Sequence, residues 1–229
     1  VEPNPELGFA ANLLYLITGK EPSPLHEKAM DVSLILYAEH EFNASTFTAR
    51  VVTSTQSDLY SAVTAAVGAL KGPLHGGANE RVLEVLEEVG SPANAERWVR
   101  DALAQKRRIM GFGHRVYKTG DPRAVILKDY CADLAREAGD TDLEAIADTI
   151  ETIVGQEKGL PPNLDWPSAR LYHYLGLPVE LYTPLFVASR VVGWAAHAIE
   201  QSENNRLIRP RSRYTGPGPR TFTPLSERG

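Results

Sequence analysis

The stretch Pro184-Leu-Phe-Val-Ala-Ser-Arg-Val-Val-Gly-Trp-Ala-Ala-His-Ala-Ile-Glu-Gln201 decides the class of fold. It opens on a proline, which suits the first turn of a helix, and it stays apolar on nearly every face to its end. Such a helix is expected to be buried on every side, at the centre of a domain. One residue conflicts with its surroundings. Arg190 keeps its proton at any ordinary pH and is costly to bury alone, so it requires an anion. That anion is either an internal Asp or Glu or the carboxylate or phosphate of a ligand held bidentately. The same arginine interrupts Leu185 to Ile199, the longest candidate for a membrane span. No segment reaches the ~18 uninterrupted apolar residues such a span needs.

Outward from this helix the periodicity is helical almost everywhere, and no run of alternating residues is long enough for a substantial sheet. The expected class is all-α. Ser23-Pro24 starts a helix to about His40, with Leu25, Ala29, Val32 and Leu36 on one face. Ser57-Asp58 opens another, whose apolar positions Leu59, Ala62, Val63, Ala66, Val67 and Leu70 lead to a stop at Gly72-Pro73. Ser91-Pro92 and Asp121-Pro122 repeat the start signal, the second helix ending at Gly139, and a further helix is expected over about Thr141 to Val154. From Gly155 to Pro167 two glycines and three prolines predict a loop, followed by a short helix ending near Gly176. Beyond Asn204 the chain turns rich in Arg, Pro and Gly, a composition that runs over a surface or a partner. No repeat of 20 to 50 residues is present.

The 229 residues suit one sizeable or two small domains, and 43% hydrophobic with 23% charged residues is a globular balance that excludes disordered, collagenous and coiled-coil readings. With 24 Lys and Arg against 29 Asp and Glu, the formal charge of −5 argues against a surface that attracts nucleic acid or anionic membrane as a whole. An anionic ligand is therefore held by a local cluster. Cys131 is the single cysteine, so an internal disulfide and a multi-cysteine zinc site are excluded, in keeping with a reducing, cytoplasmic location. The first residues carry no basic and apolar leader pattern.

Several residues qualify as chemistry-bearing. His75 lies in Gly72-Pro-Leu-His-Gly-Gly-Ala-Asn79, where glycines open the backbone just ahead of a helix N-terminus. It reads either as a loop histidine capping that helix or as a ligand-facing neutral imidazole. His114, in Gly111-Phe-Gly-His-Arg-Val-Tyr-Lys118, sits among cations including Arg108, Arg115 and Arg123, an anion-facing loop. Its glycine pair lacks the third glycine and the strand of a dinucleotide fingerprint. Asp165 precedes Trp166-Pro167 in a rigid, partly apolar loop; it is either a helix cap or a desolvated base. His40 is followed by Glu41, but Ala44 stands where a zincin would need its second histidine, so no metal site is expected. Asn43-Ala-Ser45 reads as a turn and N-cap. Arg206, Arg209, Arg211 and Arg213 crowd the tail, solvated or completing an anionic site.

Taken in order, His40-Glu-Phe-Asn-Ala-Ser-Thr-Phe47, the two glycine-flanked histidine motifs, Asp121-Pro-Arg123, Pro162-Asn-Leu-Asp165, Ser189-Arg190 and Arg209-Pro-Arg211 before Tyr214 resemble the citrate synthase family. The resemblance is to the bacterial type that includes 2-methylcitrate synthases, and it covers essentially the whole chain. It departs at Trp166-Pro-Ser-Ala169, where the family usually follows its aromatic with a Tyr-Ser-Gly run.

The resemblance implies an acyltransferase that joins oxaloacetate to the methyl carbon of acetyl-CoA and hydrolyses the citryl thioester, the entry reaction of the tricarboxylic acid cycle. Asp165 is then the base, His75 the donor to the thioester oxygen, and His114 the donor to the oxaloacetate carbonyl. His40, Arg123 and Arg190 hold the oxaloacetate carboxylates, and Arg209 reaches a neighbouring subunit's site in a homodimer. Lys118 and Lys158 are the expected contacts of the CoA phosphates. No cofactor beyond the thioester substrate is implied. The implied architecture is a discontinuous large helical domain, 1–76 with 178–229, and an inserted small helical domain, 77–177. The family pattern begins well before Val1, which implies a fragment or a separate N-terminal polypeptide. Rival readings are a 2-methylcitrate synthase using propionyl-CoA, a non-catalytic subunit that binds a partner, and a metal-dependent hydrolase built on the histidines.

Overall fold

The computed structural model describes residues 1–228. Among them are ten α-helices and no strand, the only β-type contact being an isolated bridge between Phe112 and Pro162. The helices are α1 (Phe9–Thr18), α2 (Pro24–Ala38), α3 (Ala44–Ser54), α4 (Leu59–Leu70), α5 (Ala78–Val89), α6 (Pro92–Ala104), α7 (Pro122–Ala138), α8 (Asp142–Lys158), α9 (Asp165–Tyr174) and α10 (Tyr182–Glu203). No helix is long and apolar enough to cross a membrane.

The start signals act as their chemistry requires. Ser23, Asn43 and Asp58 cap α2, α3 and α4 by accepting a backbone N–H on the side chain, and Asp121 does so for α7. Prolines occupy the first turn of α2, α6 and α7, where a missing N–H costs nothing.

The loop expected over 155–167 is much shorter than its composition suggested. Helix α8 runs through exposed Gly155 to Lys158, and α9 begins at Asp165 with Pro167 in its first turn. A single glycine weakens a helix by only about 1 kcal/mol, and a first-turn proline removes no helical hydrogen bond.

Helix α10 packs across α2, α3 and α4, while α6 packs on α8 and both α5 and α7 pack on α9. It is not buried on every side, as its composition predicted. Trp194 and Arg190 point inward, but Val192 and Ile199 are 59% and 57% exposed, because the helices packed on it, chiefly α2, α3 and α4, leave one face uncovered. Where α10 crosses the end of α2 the backbones nearly touch: a Cβ on Gly193 would overlap the carbonyl oxygen of Ala38. Ser189 Oγ donates to the carbonyl of Leu34, and Arg190 Nε donates to that of Tyr37 at 2.6 Å, occupying a carbonyl that the helix end leaves unpaired. The tail is mostly exposed but begins pinned to α3, with Asn205 donating to the carbonyl of Ser54 and the Ile208 N–H to its hydroxyl.

Candidate active site

Six segments meet around one cavity of about 690 Å³. The turn after α2 brings His40, the loop before α5 His75, the loop before α7 His114, the first turns of α7 and α9 Arg123 and Asp165, and the middle of α10 Arg190; all six line the cavity. Two loops are joined to make this possible. Gly113 N–H donates to Pro161 O, Asn163 N–H to Gly111 O, and the Asn163 side chain to Gly113 O, all at 2.8–2.9 Å. Gly111 is needed there, since its φ is 88° and a Cβ would lie 2.8 Å from the Trp166 ring. The loop of His114 is thereby tied to the residues immediately ahead of Asp165. Gly76 does the same for the loop of His75, because its N–H bonds Leu70 O at 2.7 Å in a space with no room for a Cβ.

Asp165 is half-buried at the cavity wall, and desolvation there pushes its pKa up to about 6, against the opposing hydrogen bond that Tyr37 donates to its Oδ1 at 3.0 Å. The Tyr37 hydroxyl is also 2.7 Å from Ser168 Oγ. Asp165 has no side-chain capping bond on α9 and serves the cavity instead.

The three histidines are neutral. Burial lowers His75 to about 4, with Arg190 adding to the effect; burial and the nearby Arg123 and His114 take His40 to about 4 and, with Arg123 again, hold His114 below its ordinary value. Their hydrogen bonds define their tautomers. The Ser45 N–H points at His75 Nε2 at 3.3 Å with the Ser45 hydroxyl at 2.8 Å, so Nε2 accepts and Nδ1 carries the proton. Val116 and Tyr117 N–H groups both point at His114 Nδ1, at 3.0 and 3.2 Å, which leaves the proton on Nε2. That nitrogen lies 3.2 Å from His40 Nε2, which accepts, so His40 is protonated on Nδ1.

The two guanidiniums differ. Arg123 is paired bidentately with fully buried Asp121, at 3.0 and 2.8 Å; burial opposes its charge, but these bonds and the charge of Asp121 raise its pKa overall. Asp121 also accepts the Leu164 N–H at 3.2 Å, linking α7 to the entry of α9. Arg190 is 2% exposed and takes part in none of the ion pairs among the described residues, and its Nη1 has no hydrogen-bond partner. Burial and then the charge of Arg123 lower it to about 10, so it stays charged at neutral pH. The internal ion pair allowed by the sequence is not made.

Arg209 is exposed on the tail and does not line the cavity of its own chain. Lys118 is exposed and donates to the carbonyl of His114, and Lys158 is exposed at the end of α8; neither lines the cavity. The cations that do, besides Arg123 and Arg190, are Arg108 and Arg115. Tyr37, Ser45, Asp121 and Asn163 also shape the site. Ser45, Asp121 and Asn163 stood within quoted motifs, whereas Tyr37 sits in a helix face that carries no signal beyond core packing. No group of three His, Cys, Asp or Glu side chains suited to a metal ion occurs among the described residues. Cys131 is buried, its thiol pushed up to about 12 by burial, and does not line the cavity.

Chemically, this cavity brings two guanidiniums, three neutral imidazoles and a desolvated carboxyl within reach of one another, a set of groups able to hold carboxylates and to exchange protons. Residues 1–211 match the family model for the C-terminal domain of citrate synthase. The chain is 54% identical to citrate synthase 2 of Bacillus subtilis over all of its own length and 61% of that protein. It is 50% identical to a 2-methylcitrate synthase of Shewanella oneidensis, over 96% of this chain and 59% of that one. Among solved structures, the ternary complex of carboxymethyl coenzyme A and oxaloacetate with citrate synthase from Thermoplasma acidophilum superposes with a TM-score of 0.91 at 43% identity, covering 99% of this chain and 61% of that one. The chain belongs to the citrate synthase family, and it spans about three fifths of the length of these relatives.

Proposed function

We propose that this chain carries the catalytic residues of a citrate synthase, an acyltransferase that condenses acetyl-CoA with oxaloacetate to give citrate and CoA. The observation that supports it most is the joint presence, in one cavity, of a carboxyl near pH 6 in affinity and neutral imidazoles that each offer one ring N–H. Asp165 takes a proton from the thioester methyl group while His75 Nδ1–H donates to the thioester oxygen, so that charge develops on a hydrogen-bonded oxygen rather than on carbon. The enol carbon then attacks the keto carbon of oxaloacetate, whose oxygen accepts the hydrogen bond of His114 Nε2–H in place of His40 Nε2. Citryl-CoA forms by this new carbon–carbon bond, and water cleaves its thioester.

Arg190, with its free Nη1, and Arg123 bind the carboxylates of oxaloacetate, with His40 between them and His114. Arg108 and Arg115, rather than Lys118 and Lys158, are the cavity-lining cations suited to the CoA phosphates. The reaction needs no cofactor beyond the thioester.

In this reading residues 1–76 and 178–229 form a large domain and 77–177 an inserted small one, consistent with α10 packing on α2–α4 and α9 on α5 and α7. The working form is a cytoplasmic homodimer in which Arg209 enters the site of the second chain. Release of CoA thiol, followed with acetyl-CoA or propionyl-CoA and with or without oxaloacetate, tests the function. Oxaloacetate-dependent release that favours acetyl-CoA is expected; a preference for propionyl-CoA would select the 2-methylcitrate reaction, and no dependence on oxaloacetate would reject both.

A further inference from the structure

Behind the turn that carries His40 lies a second polar cluster, outside the cavity. Glu39 ends α2, and its carboxylate is 2.9 Å from Nε2 of His197 on α10. The opposite ring nitrogen of His197, Nδ1, accepts from Arg50 Nη1 of α3 at 3.0 Å, so the Nε2 proton is directed at Glu39. Arg50 is held in turn by Glu200 at 2.5 Å and by the carbonyl of His197 at 3.2 Å. Phe42, from the same turn as His40, sits edge-on to the His197 ring and under the Arg50 guanidinium. Both Arg50 and His197 side chains are largely buried, at 12% and 14% exposure, although neither lines the cavity.

The turn they grip needs holding. Glu41 has φ 49°, a left-handed conformation unfavourable for a residue with a β-carbon. From the other side the Asn43 side chain donates to the carbonyl of His40 at 3.0 Å. His40 projects from this clamped turn to meet His114 Nε2 and to stack on Tyr117, with ring centroids 5.4 Å apart.

We propose that Glu39, His197 and Arg50 form a positioning set for oxaloacetate binding: they lock the turn 39–43 so that the His40 ring is held against His114 and Tyr117 at the wall of the cavity. This rests on the reading of the cavity as an oxaloacetate site, but the lock can be tested apart from that reading. The three residues touch neither substrate nor reacting atoms; they act through His40.

The test uses the 229-residue chain with two readouts. Calorimetric titration with oxaloacetate measures affinity, and nitrogen-15 NMR of labelled histidines reports the His40 tautomer without any ligand. His197→Phe keeps the contact with Phe42 but removes both ring hydrogen bonds, and Glu39→Ala removes the carboxylate from a half-exposed position where the fold is not at stake. His197→Gln can donate to Glu39 and accept from Arg50. Expected are roughly tenfold weaker oxaloacetate binding and a His40 signal averaged over both tautomers in the first two variants, with both restored toward the parent by glutamine. Folded His197→Phe and Glu39→Ala chains with parental affinity and a parental His40 signal would overturn the lock. If the parent itself binds no oxaloacetate, the function fails, and the His40 signal alone then decides the lock.

Discussion

Asp165 and Arg190 are the two residues whose replacement is most informative. A base with its pKa near 6 must be ionised to act, so kcat is expected to fall tenfold per unit as pH drops below about 6; the histidines, already neutral, add nothing to this limb. Asp165→Asn is expected to remove the limb along with roughly 10²–10⁴ of the rate. Its effect on stability has the opposite sign. The folded chain holds the Asp165 proton more tightly than the unfolded chain, so the associated stabilisation is complete below pH about 4 and is lost as pH rises through about 6. Above that window ionisation costs up to about 3 kcal/mol, which Asn does not incur. Denaturant melts at pH 4 and pH 8 check this: Asp165→Asn should match the parent at the first and equal or exceed it at the second. For Arg190→Leu, a folded chain within about 1–3 kcal/mol of the parent is expected, because no carboxylate is left unpaired and only the Tyr37 carbonyl loses its donor. Oxaloacetate affinity should fall by roughly 100-fold, measured by calorimetry. Unfolding of this variant would instead assign Arg190 a structural role.

At the scale of elements, two glycines in helices make opposite predictions. Gly193 lies where α10 crosses the end of α2, with the Ala38 carbonyl in the space a Cβ would take. Gly193→Ala is expected to push the helices apart and to destabilise the fold by about 1–3 kcal/mol, and to disturb His40 two residues further on. Gly155 lies in the exposed part of α8 with nothing within 4 Å of a Cβ. Gly155→Ala is expected to stabilise by about 0.5–1 kcal/mol, seen as a higher denaturation midpoint. A loop at Gly155, as the composition alone suggested, would instead leave the midpoint unchanged. The reason the sequence misled here is physical. Glycine and proline lower the odds of a helix without forbidding one, and Ile153 and Val154 bury their side chains well enough to carry the last turn.

At the scale of the whole molecule, Arg209 makes the assembly testable. If it enters the cavity of a second chain, mixing Asp165→Asn chains with Arg209→Ala chains should restore activity that neither has alone. One of the two sites in each mixed dimer would then hold both native residues. Subunit mixing followed by an assay at matched protein concentration reads this directly. No recovery, with sedimentation showing that mixed dimers had formed, would mean that each site is completed within its own chain. The exposed apolar residues Val192 and Ile199 on the outer face of α10 are a further reason to expect association, since water penalises such surface.

The sequence alone determined the all-helical class, most helix starts, the anion-seeking buried arginine and the types of side chain a proton-transfer site would use. These follow from caps, prolines and periodicities that act within about one turn of helix. What only the tertiary structure decided is how those side chains meet. Tyr37 bonds Asp165 across 128 residues of chain, and His40 meets His114 across 74. Asp121 occupies Arg123, whereas Arg190 keeps a guanidinium nitrogen free, and Arg108 and Arg115 line the cavity while Lys118 and Lys158 do not. Such choices depend on which helix faces pack together, and on close approaches at glycines such as Gly111 and Gly193. Local periodicity carries no record of either, because it specifies that a face is buried but not what it is buried against.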